Sequence, residues 1–264
     1  MGLSINWIKM DITITQGFSG MVPSREEPLP ILYIENLSTQ YTTGTTLTLQ
    51  PGSCRSDSNT ADIILSSPVV NNNAVVGVNG LDVGAMANNT WYYLFVISDS
   101  EQQLVTASLL SLSPTNPTMP AGYDYKRRVA AVRNGVGAYF KFFQFFSANE
   151  RFYYWDVENT IVNILTAGVA IVWTTLSCVV GMPPVTNNVY LATHFDAVAN
   201  RYSRIRRNGT TFTNPVAYLY GSTDQVNSAA VWLDTDTNNQ IQYRNDNAAD
   251  NLTIDIIGFM DFLV

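Results

Sequence analysis

Hydrophobic and polar residues alternate in short runs along most of this chain. Such runs, rich in Val, Ile, Thr and aromatic residues, are typical of strands with one buried face. The runs that we interpret as strands are residues 12–15, 45–49, 63–65, 91–97, 189–191, 216–220, 229–233, 240–244 and 252–257. No stretch of a dozen residues combines the three- and four-residue apolar spacing of an amphipathic helix with a cap. The pattern therefore predicts an all-β protein.

Turn-forming residues separate these runs. The clearest clusters are Asn71-Asn72-Asn73, Asn79-Gly80, Asn208-Gly209, Gly221-Ser222 and residues 234–239. Asn, Asp and Gly adopt the backbone conformations that tight turns require. Many short strands at this spacing predict antiparallel domains of the β-sandwich or jelly-roll type.

The domain organisation follows from a change in pattern near residue 30. Residues 16–20 and 23–28 are rich in turn residues and show little periodicity. We predict an extended N-terminal arm over residues 1–30, a β domain over 31–155 and a C-terminal β-sandwich over 156–264. No internal repeat has a fixed period, which argues against a solenoid.

Charge is sparse and its balance is acidic. Only 13% of the residues are charged, about half the usual share, and the net charge is −7. Phosphate binding requires a basic patch, so the balance argues against nucleic acid as a partner. The exception is the run Arg201, Arg204, Arg206 and Arg207, which predicts a basic strand edge that is solvated or faces an acidic neighbour.

The cysteines and the N-terminus indicate a protein made in the cytoplasm without export. Cys54 and Cys178 lie far apart in unrelated contexts, so we expect two free thiols and no disulfide framework. The first residues lack the basic region and short apolar stretch of a signal peptide.

One uncharged segment raises the question of a membrane span. Residues 159–193 contain no charged residue, and residues 161–182 would cross a bilayer if they were helical. Polar residues interrupt the segment and β-branched residues dominate the remainder. We predict two buried strands with a turn at Thr166-Ala167-Gly168 and no membrane insertion.

An ordered series of motifs between residues 55 and 133 carries a family resemblance. The series runs from Arg55 to Ile63, then through Asn79-Gly80-Leu81-Asp82-Val83-Gly84, Thr90-Trp91-Tyr92, Leu110-Ser111-Leu112-Ser113, Pro117-Thr118-Met119-Pro120-Ala121-Gly122-Tyr123 and residues 128–133. Physically, these are positive-φ turns, an aromatic strand and a rigid extended crossover. The succession resembles a module of phage tail-fibre and related virion structural proteins over roughly residues 50–146. The resemblance implies a β-structured virion module, commonly in trimeric or elongated assemblies, without an active site.

Catalytic candidates are few. The only histidine is His194, and no nucleophile-elbow motif lies near it. A polysaccharide depolymerase would need paired carboxylates, for which the candidates are Asp99, Glu101, Glu150, Asp156 and Glu158. We predict no enzyme activity and no cofactor.

Aromatic residues are the strongest candidates for contacts with a partner. They are concentrated in residues 139–155 and recur at the apolar C-terminal end. Alternation along a strand sends half of them to each face, so one face fills the core while the other meets a partner or stacks on sugar rings. The candidate interface or ligand residues are Tyr139, Phe142, Phe145, Tyr153, Trp155, Phe259 and Phe262.

The segment Asp234-Thr235-Asp236-Thr237-Asn238 has the oxygen spacing that begins a calcium loop. The twelfth position is Asn245 and the sixth is not Gly, which excludes an EF-hand. A looser calcium site and a simple hairpin turn remain alternatives. No cysteine and histidine cluster has zinc spacing, and no Gly-rich phosphate loop is present.

The patterning alone predicts a weakly charged all-β protein, and the resemblance of residues 55–133 implies a bacteriophage virion structural protein, either a tail fibre or a capsid-surface fibre or cement protein. We expect a homotrimer in the virion that contacts itself and other virion proteins, with the arm as an attachment segment. The alternatives are a lectin-like module that binds host surface glycans, a small polysaccharide depolymerase and, with least support, a membrane-inserted protein.

Overall fold

The computed structural model describes residues 28–100, 105–147, 149–156, 162–211, 217–222 and 226–263. Within these residues every regular element is a β-strand, which confirms the all-β prediction. The predicted arm falls almost entirely on residues 1–27, outside the described residues.

Strands β1 to β10 occupy the first half of the chain. Their bounds are β1 Ile34–Asn36, β2 Thr39–Thr43, β3 Thr46–Leu49, β4 Gly52–Arg55, β5 Asp62–Leu65, β6 Val69–Asn72, β7 Gly80–Leu81, β8 Thr90–Ser98, β9 Ala107–Ser111 and β10 Tyr125–Asn134. They form three sheets, with strand orders β1-β4-β5, β2-β3-β6 and β10-β8-β9-β7. Because β9 and β10 flank β8, the proline-containing segment between them crosses over β8, as the motif predicted.

Strands β11 to β20 form two further sheets. Their bounds are β11 Phe142–Ser147, β12 Glu150–Trp155, β13 Val162–Gly168, β14 Thr174–Ser177, β15 Asn188–Asp196, β16 Arg201–Arg207, β17 Ala217–Gly221, β18 Val226–Asp234, β19 Gln240–Asn245 and β20 Asn251–Phe262. The six-stranded sheet has the order β11-β12-β20-β15-β18, with β13 also paired to β20. The second sheet has the order β14-β19-β16-β17.

Burial follows the alternation that the sequence shows. In β12, β19 and β20 nearly every second residue is buried, whereas β8 is buried from Trp91 to Ser98 because both of its faces are covered. The buried hydrophobic residues form one connected core that includes residues from both halves of the chain. The predicted domain boundary at residue 155 lies between β12 and β13, and both of these strands pair with β20.

Buried polar contacts join the sheets at the C-terminal end of β20. Arg128 forms an ion pair with Asp261 at 2.6 Å, and the Asp261 side chain is fully buried. Arg127 donates to the Leu263 carbonyl at 2.8 Å, and Arg151 donates to the Asn36 carbonyl at 2.8 Å. The first two contacts join β10 to the end of β20, and the third joins β12 to β1.

The uncharged segment, residues 159–193, was predicted to form two strands joined by a turn. The uncharged segment contains strands, as predicted, but β13 and β14 are mostly not buried, and Thr166, Ala167 and Gly168 do not form the predicted turn. They end β13 as an irregularity in which Ala167 has φ of 49°, and Gly168 is still paired with Leu252 of β20. In the described residues, no helix is long and apolar enough to span a membrane.

Two other predictions need correction and one is confirmed. The arginine run is not a strand edge, because β16 lies between β19 and β17. Asn71 does not form a turn but lies buried in β6, where its amide donates to the Gly80 carbonyl and the Ser108 hydroxyl. Cys54 and Cys178 are free and buried, and burial raises the pKa of each thiol to about 12.

Candidate functional site

Strands β11 and β12 divide their aromatic residues between the two faces of the six-stranded sheet. Phe142 pairs with Trp155 and Gln144 with Tyr153, and these side chains point inward. The residues between them, which are Phe143, Phe145, Phe152 and Tyr154, point outward. The two faces therefore carry similar residue types in opposite environments.

The inward aromatic residues form the contact between the six-stranded sheet and β8. Tyr153 stacks on Phe259 with ring centroids 4.4 Å apart, and Trp91 meets Phe259 edge-on at 5.5 Å. Trp155 donates its indole N–H to the Gly181 carbonyl at 3.1 Å. These rings are partners of one another, so they are not available to a ligand.

The Tyr153 hydroxyl is the polar centre of this packing. It accepts hydrogen bonds from the Ala131 backbone N–H at 3.1 Å and from the Gln144 amide at 2.8 Å. Burial raises the pKa of Tyr153, so the phenol stays neutral. Its role is to satisfy two buried donors rather than to act on a substrate.

The outward residues form a continuous aromatic face. We define the aromatic face as Phe143, Phe145, Phe152, Tyr154, Tyr190 and Trp232. Tyr190 stacks on Trp232 at 4.6 Å, and Tyr154 meets the Phe145 ring edge-on at 5.6 Å. Phe143 and Phe145 are each 59% exposed, and the other members of the face are half-buried. This set extends across the outer surface of the sheet from β11 to β18.

Gly258 lies in the middle of the aromatic face. It is in register with Tyr154 on one side and with Tyr190 on the other. A Cβ at this position would come within 2.2 Å of the Tyr153 carbonyl oxygen, so a side chain cannot be accommodated without a shift of the backbone. The absence of a side chain leaves the two tyrosine rings free to approach each other, at 5.8 Å.

A groove of about 540 Å³ opens beside the aromatic face, between β2 and β11. The Thr39 backbone N–H donates to the Gln144 side-chain oxygen at 2.6 Å across its floor. The residues that line the groove are Ser38, Thr39, Gln40, Tyr41, Lys141, Phe142, Phe143, Gln144, Phe145 and Asp156.

The predicted interface residues are split by this geometry. Tyr139, Phe142, Tyr153, Trp155 and Phe259 are at most 5% exposed, because each faces the core. They do not form a surface for a partner. Phe145 and Phe262 are 59% and 40% exposed and lie on the outer face of the sheet. Sequence reasoning did not select Phe152, Tyr154, Tyr190 and Trp232, and the first two follow from Phe145 and Phe143 only when the register of β11 and β12 is known.

The second sheet presents a different outer face, made of tyrosine, arginine and tryptophan. Tyr202, Tyr218 and Tyr220 are 41–54% exposed, and the Arg204 guanidinium lies over the first two rings. Arg206 lies over the Trp173 ring at 3.9 Å. Of the four arginines predicted to form a strand edge, Arg204 and Arg206 contribute instead to this face, which we call the tyrosine–arginine face.

In the part of the chain that the structure describes, His194 forms no catalytic pair with a carboxylate, and neither do Glu150 and Asp156 with each other. Exposed His194 contacts the Ser228 hydroxyl through Nδ1 at 2.7 Å, and within the described residues no carboxylate hydrogen bonds to its ring. Glu150 and Asp156 lie at opposite ends of β12, about 20 Å apart along an extended strand. Glycosidase carboxylates lie within about 10 Å of each other. Glu101 and Glu158 lie outside the described residues.

The predicted calcium segment forms a turn that connects β18 of the six-stranded sheet to β19 of the second sheet, so it is a turn but not the hairpin that the sequence suggested. Asp236 accepts hydrogen bonds from the Asn208 amide at 2.7 Å and from the backbone N–H groups of Asn238 and Gln240. Burial opposes ionisation of Asp236, but these hydrogen bonds outweigh it and hold its pKa below the ordinary value. Asp234 accepts from Asn188 at 2.8 Å. Across the described ranges, no group of three or more His, Cys, Asp or Glu side chains is placed to hold a metal ion.

Comparison with known proteins gives little further information. No protein-family model and no curated protein matches the chain. Among solved structures, the chain is similar at 8% identity to a tryptic core variant of Cry1Da from Bacillus thuringiensis, over 88% of this chain and 51% of that chain, with a TM-score of 0.18. The chain spans about half the length of that protein, and a TM-score this low carries no argument about fold or function.

Proposed function

We propose that this protein is a structural component of a bacteriophage particle, of the tail-fibre or capsid-surface kind. It acts by burying surface against copies of itself, as a homotrimer, and against neighbouring virion proteins. The observation that carries this proposal is the aromatic face of the six-stranded sheet.

The aromatic face has the composition of a protein interface. Tyr, Trp and Phe are enriched at interface cores, where they bury large areas without the desolvation cost of charged groups. The exposed edge residues Phe143 and Phe145 extend a set of half-buried rings, so the apolar surface is contiguous rather than scattered. Contiguous apolar surface of this kind marks interaction sites.

The phage assignment is supported by the motif series and by the way its parts contact one another. Asp82, from the Asn-Gly-Leu-Asp turn, accepts a hydrogen bond from the Ser111 hydroxyl at 2.6 Å and one from the Thr118 N–H at 3.0 Å. These residues belong to three different motifs of the series. A shared hydrogen-bonding centre gives a physical reason for the motifs to occur together, which favours reading them as one module.

The test of subunit association compares two double variants of the full chain by light scattering at micromolar concentrations. Phe143→Ser with Phe145→Ser removes the exposed part of the aromatic face. Tyr218→Ser with Tyr220→Ser removes exposed rings of similar size from the other sheet and serves as the matched control. We expect the parent and the control to be oligomeric and the first variant to lose mass toward the monomer.

The position in the particle is tested with antibodies raised against the pure protein. Labelling of intact phage particles at the tail or the capsid surface supports the proposal. A parent protein that is a clean monomer and whose antibodies label no particle contradicts it.

The tyrosine–arginine face supports a second candidate function, the binding of host surface glycans. Sugar rings stack on exposed aromatic rings, and three tyrosines of this face are exposed. Binding of the full chain to host cell envelopes, lost in the Tyr218→Ser and Tyr220→Ser variant but kept in the Phe143→Ser and Phe145→Ser variant, would establish this function. Equal binding by both variants would rule out this face.

A further inference from the structure

Three arginines lie on the outer side of the second sheet. In β16 and β19, Ile205 and Tyr243 are at most 4% exposed and point toward the core. The residues that alternate with them point outward, and these include Arg204, Arg206 and Arg244. The three guanidinium groups therefore share the side of the sheet that carries the exposed tyrosines.

Two of these arginines lie against one tryptophan ring. The central guanidinium carbon of Arg206 is 3.9 Å from the ring centroid of Trp173, and that of Arg244 is 5.3 Å from it. The Arg206 Nε also donates to the Gln242 side-chain oxygen on the neighbouring strand at 2.9 Å. We define Arg206 and Arg244 as the guanidinium pair. The ring and the amide hold these two positive charges close together.

The electrostatics of the guanidinium pair favour an anionic ligand. Burial lowers the pKa of Arg206, and the charge of Arg244 lowers it further, because like charges repel. The neighbouring carboxylate, Asp246, forms its ion pair with Arg204. Among the residues that the structure describes, Arg244 forms no ion pair, and its Nε has no hydrogen-bond acceptor. Arg244 can therefore receive a carboxylate, for which a guanidinium has the matching geometry.

The rings beside the guanidinium pair indicate what carries the carboxylate. The rings of Tyr218 and Tyr220 lie 6.3 and 5.2 Å from that of Tyr202, and all three are exposed. Sugar rings stack on exposed aromatic rings. The face extends about 14 Å across the strands, from Trp173 beside β14 to Tyr218 in β17. An acidic polysaccharide has both sugar rings and carboxylates along one chain, so it matches both parts of this face.

We propose that the tyrosine–arginine face binds an acidic polysaccharide, with a carboxylate of the glycan on the guanidinium pair and neighbouring sugar rings on Tyr218 and Tyr220. This inference deepens the second candidate function and rests on it, because it names the chemical class of the host glycan. A neutral glycan would use only the tyrosines. The charge of the ligand therefore separates the inference from the candidate function itself.

The first experiment compares glycans that differ only in charge. Polygalacturonate, alginate and polysialate are immobilised beside carboxyl-reduced forms of the same chains, and binding of the full chain is measured by biolayer interferometry. We expect the protein to bind at least one acidic chain at least about tenfold more tightly than its reduced form. The preference should decrease at high salt, because salt screens the attraction between the carboxylates and the arginines.

A matched pair of variants tests where the carboxylate binds. Arg244→Gln and Arg207→Gln each remove one positive charge from the second sheet. Arg207 is exposed and follows Arg206 in β16, so its side chain starts toward the other side of the sheet. We expect Arg244→Gln to lose the preference for the acidic chain and to bind the reduced chain as the parent does. Arg207→Gln should keep the preference within about twofold.

Loss of the preference in Arg244→Gln alone supports the inference, since removal of the carboxylate and removal of its partner are then not additive. An equal loss in Arg207→Gln would assign the preference to net charge and contradict the site. Should Arg244→Gln fail to fold, Arg206→Gln tests the same guanidinium pair.

Other outcomes separate this inference from the function on which it rests. Equal binding of acidic and reduced chains contradicts the inference but leaves glycan binding by the tyrosines. No binding to any acidic chain also contradicts it, whereas the candidate function fails only if host cell envelopes are not bound either. Equally tight binding of oligothymidylate would show a general polyanion site and contradict the assignment to a glycan.

Discussion

Strand β12 carries aromatic residues on both faces, and adjacent residues of the same kind have different surroundings. Tyr153 and Trp155 point inward and are at most 3% exposed, and they join the six-stranded sheet to β8 and β10. Phe152 and Tyr154 point outward and take part in the aromatic face. The difference shows that the residues that fill the core and the residues that remain at the surface occupy alternate positions of one strand. Aromatic composition alone does not separate them.

The largest effect is expected from loss of an inward ring. Trp155→Ala removes contacts with Trp91, Phe140 and Phe259 and leaves a cavity. We expect the free energy of unfolding, measured by urea denaturation, to fall by about 4 kcal/mol.

The outward control is Phe143→Ala, at a position that is 59% exposed. Its cost is expected to stay below about 1 kcal/mol, since most of the ring is already in water. Comparable losses for the two variants would show that the outer face is buried in the protein under the conditions of the measurement.

The same contrast between buried and exposed positions exists for ion pairs. Loss of the buried pair is expected to have the second largest effect on the free energy of unfolding. Asp261 is fully buried and pairs with Arg128, whereas Asp246 keeps 32% of its side chain exposed and pairs with Arg204. Asp261→Asn leaves the Arg128 charge in a buried site without its counterion, at a cost of about 3 kcal/mol. Asp246→Asn is expected to cost less than about 1 kcal/mol. Denaturation of both variants at neutral pH checks this order, and a larger cost for Asp246→Asn would reverse it.

The sequence predicted the strands well because alternation is a local property. Residues 252–257 and 240–244 fall inside β20 and β19, and the turn between residues 234 and 239 is where it was expected. The sequence does not show which of the two alternate rows of β12 faces the core. Both rows contain aromatic residues, so the two rows do not differ clearly in polarity. Tyr153 is assigned to the core only by Phe259, which lies far away in the sequence and reaches it through the pairing of β12 with β20.

The same limit applies to the basic run and to the aromatic face. Strand β16 is not an edge strand because β17 pairs with it over residues 201–205 and β19 over residues 203–207, and β19 follows β16 by more than thirty residues. Tyr190 and Trp232 join the aromatic face through the register of β15, β18 and β20. Sheet order depends on long-range pairing, which short sequence patterns do not specify.

A smaller change tests whether the inward row is specified by hydrogen bonds as well as by packing. Tyr153→Phe keeps the ring stacked on Phe259 but leaves the Ala131 N–H and the Gln144 amide without their acceptor. We expect a loss of about 2 kcal/mol in the free energy of unfolding. Tyr154→Phe, one residue away on the outer face, is the control and is expected to change it by no more than about 0.5 kcal/mol. Equal effects would mean that the buried hydroxyl contributes no more than the exposed one.

The smallest expected effect is the pH dependence of the outward ion pair between Arg204 and Asp246. Burial would raise the pKa of Asp246, but hydrogen bonds from the Arg204 guanidinium and the Tyr202 N–H outweigh it and hold the pKa below 3.8. Because the folded pKa lies below the unfolded one, the contribution to stability is present above about pH 4 and is lost as the pH falls through the folded value. Between about pH 5 and pH 3 we expect the free energy of unfolding to fall further in the parent than in Asp246→Asn. The expected difference is less than about 1 kcal/mol. This difference should shrink at high salt, because salt screens an exposed ion pair. A difference that persists at high salt would mean that the Arg204–Asp246 pair behaves like the buried pair of Asp261.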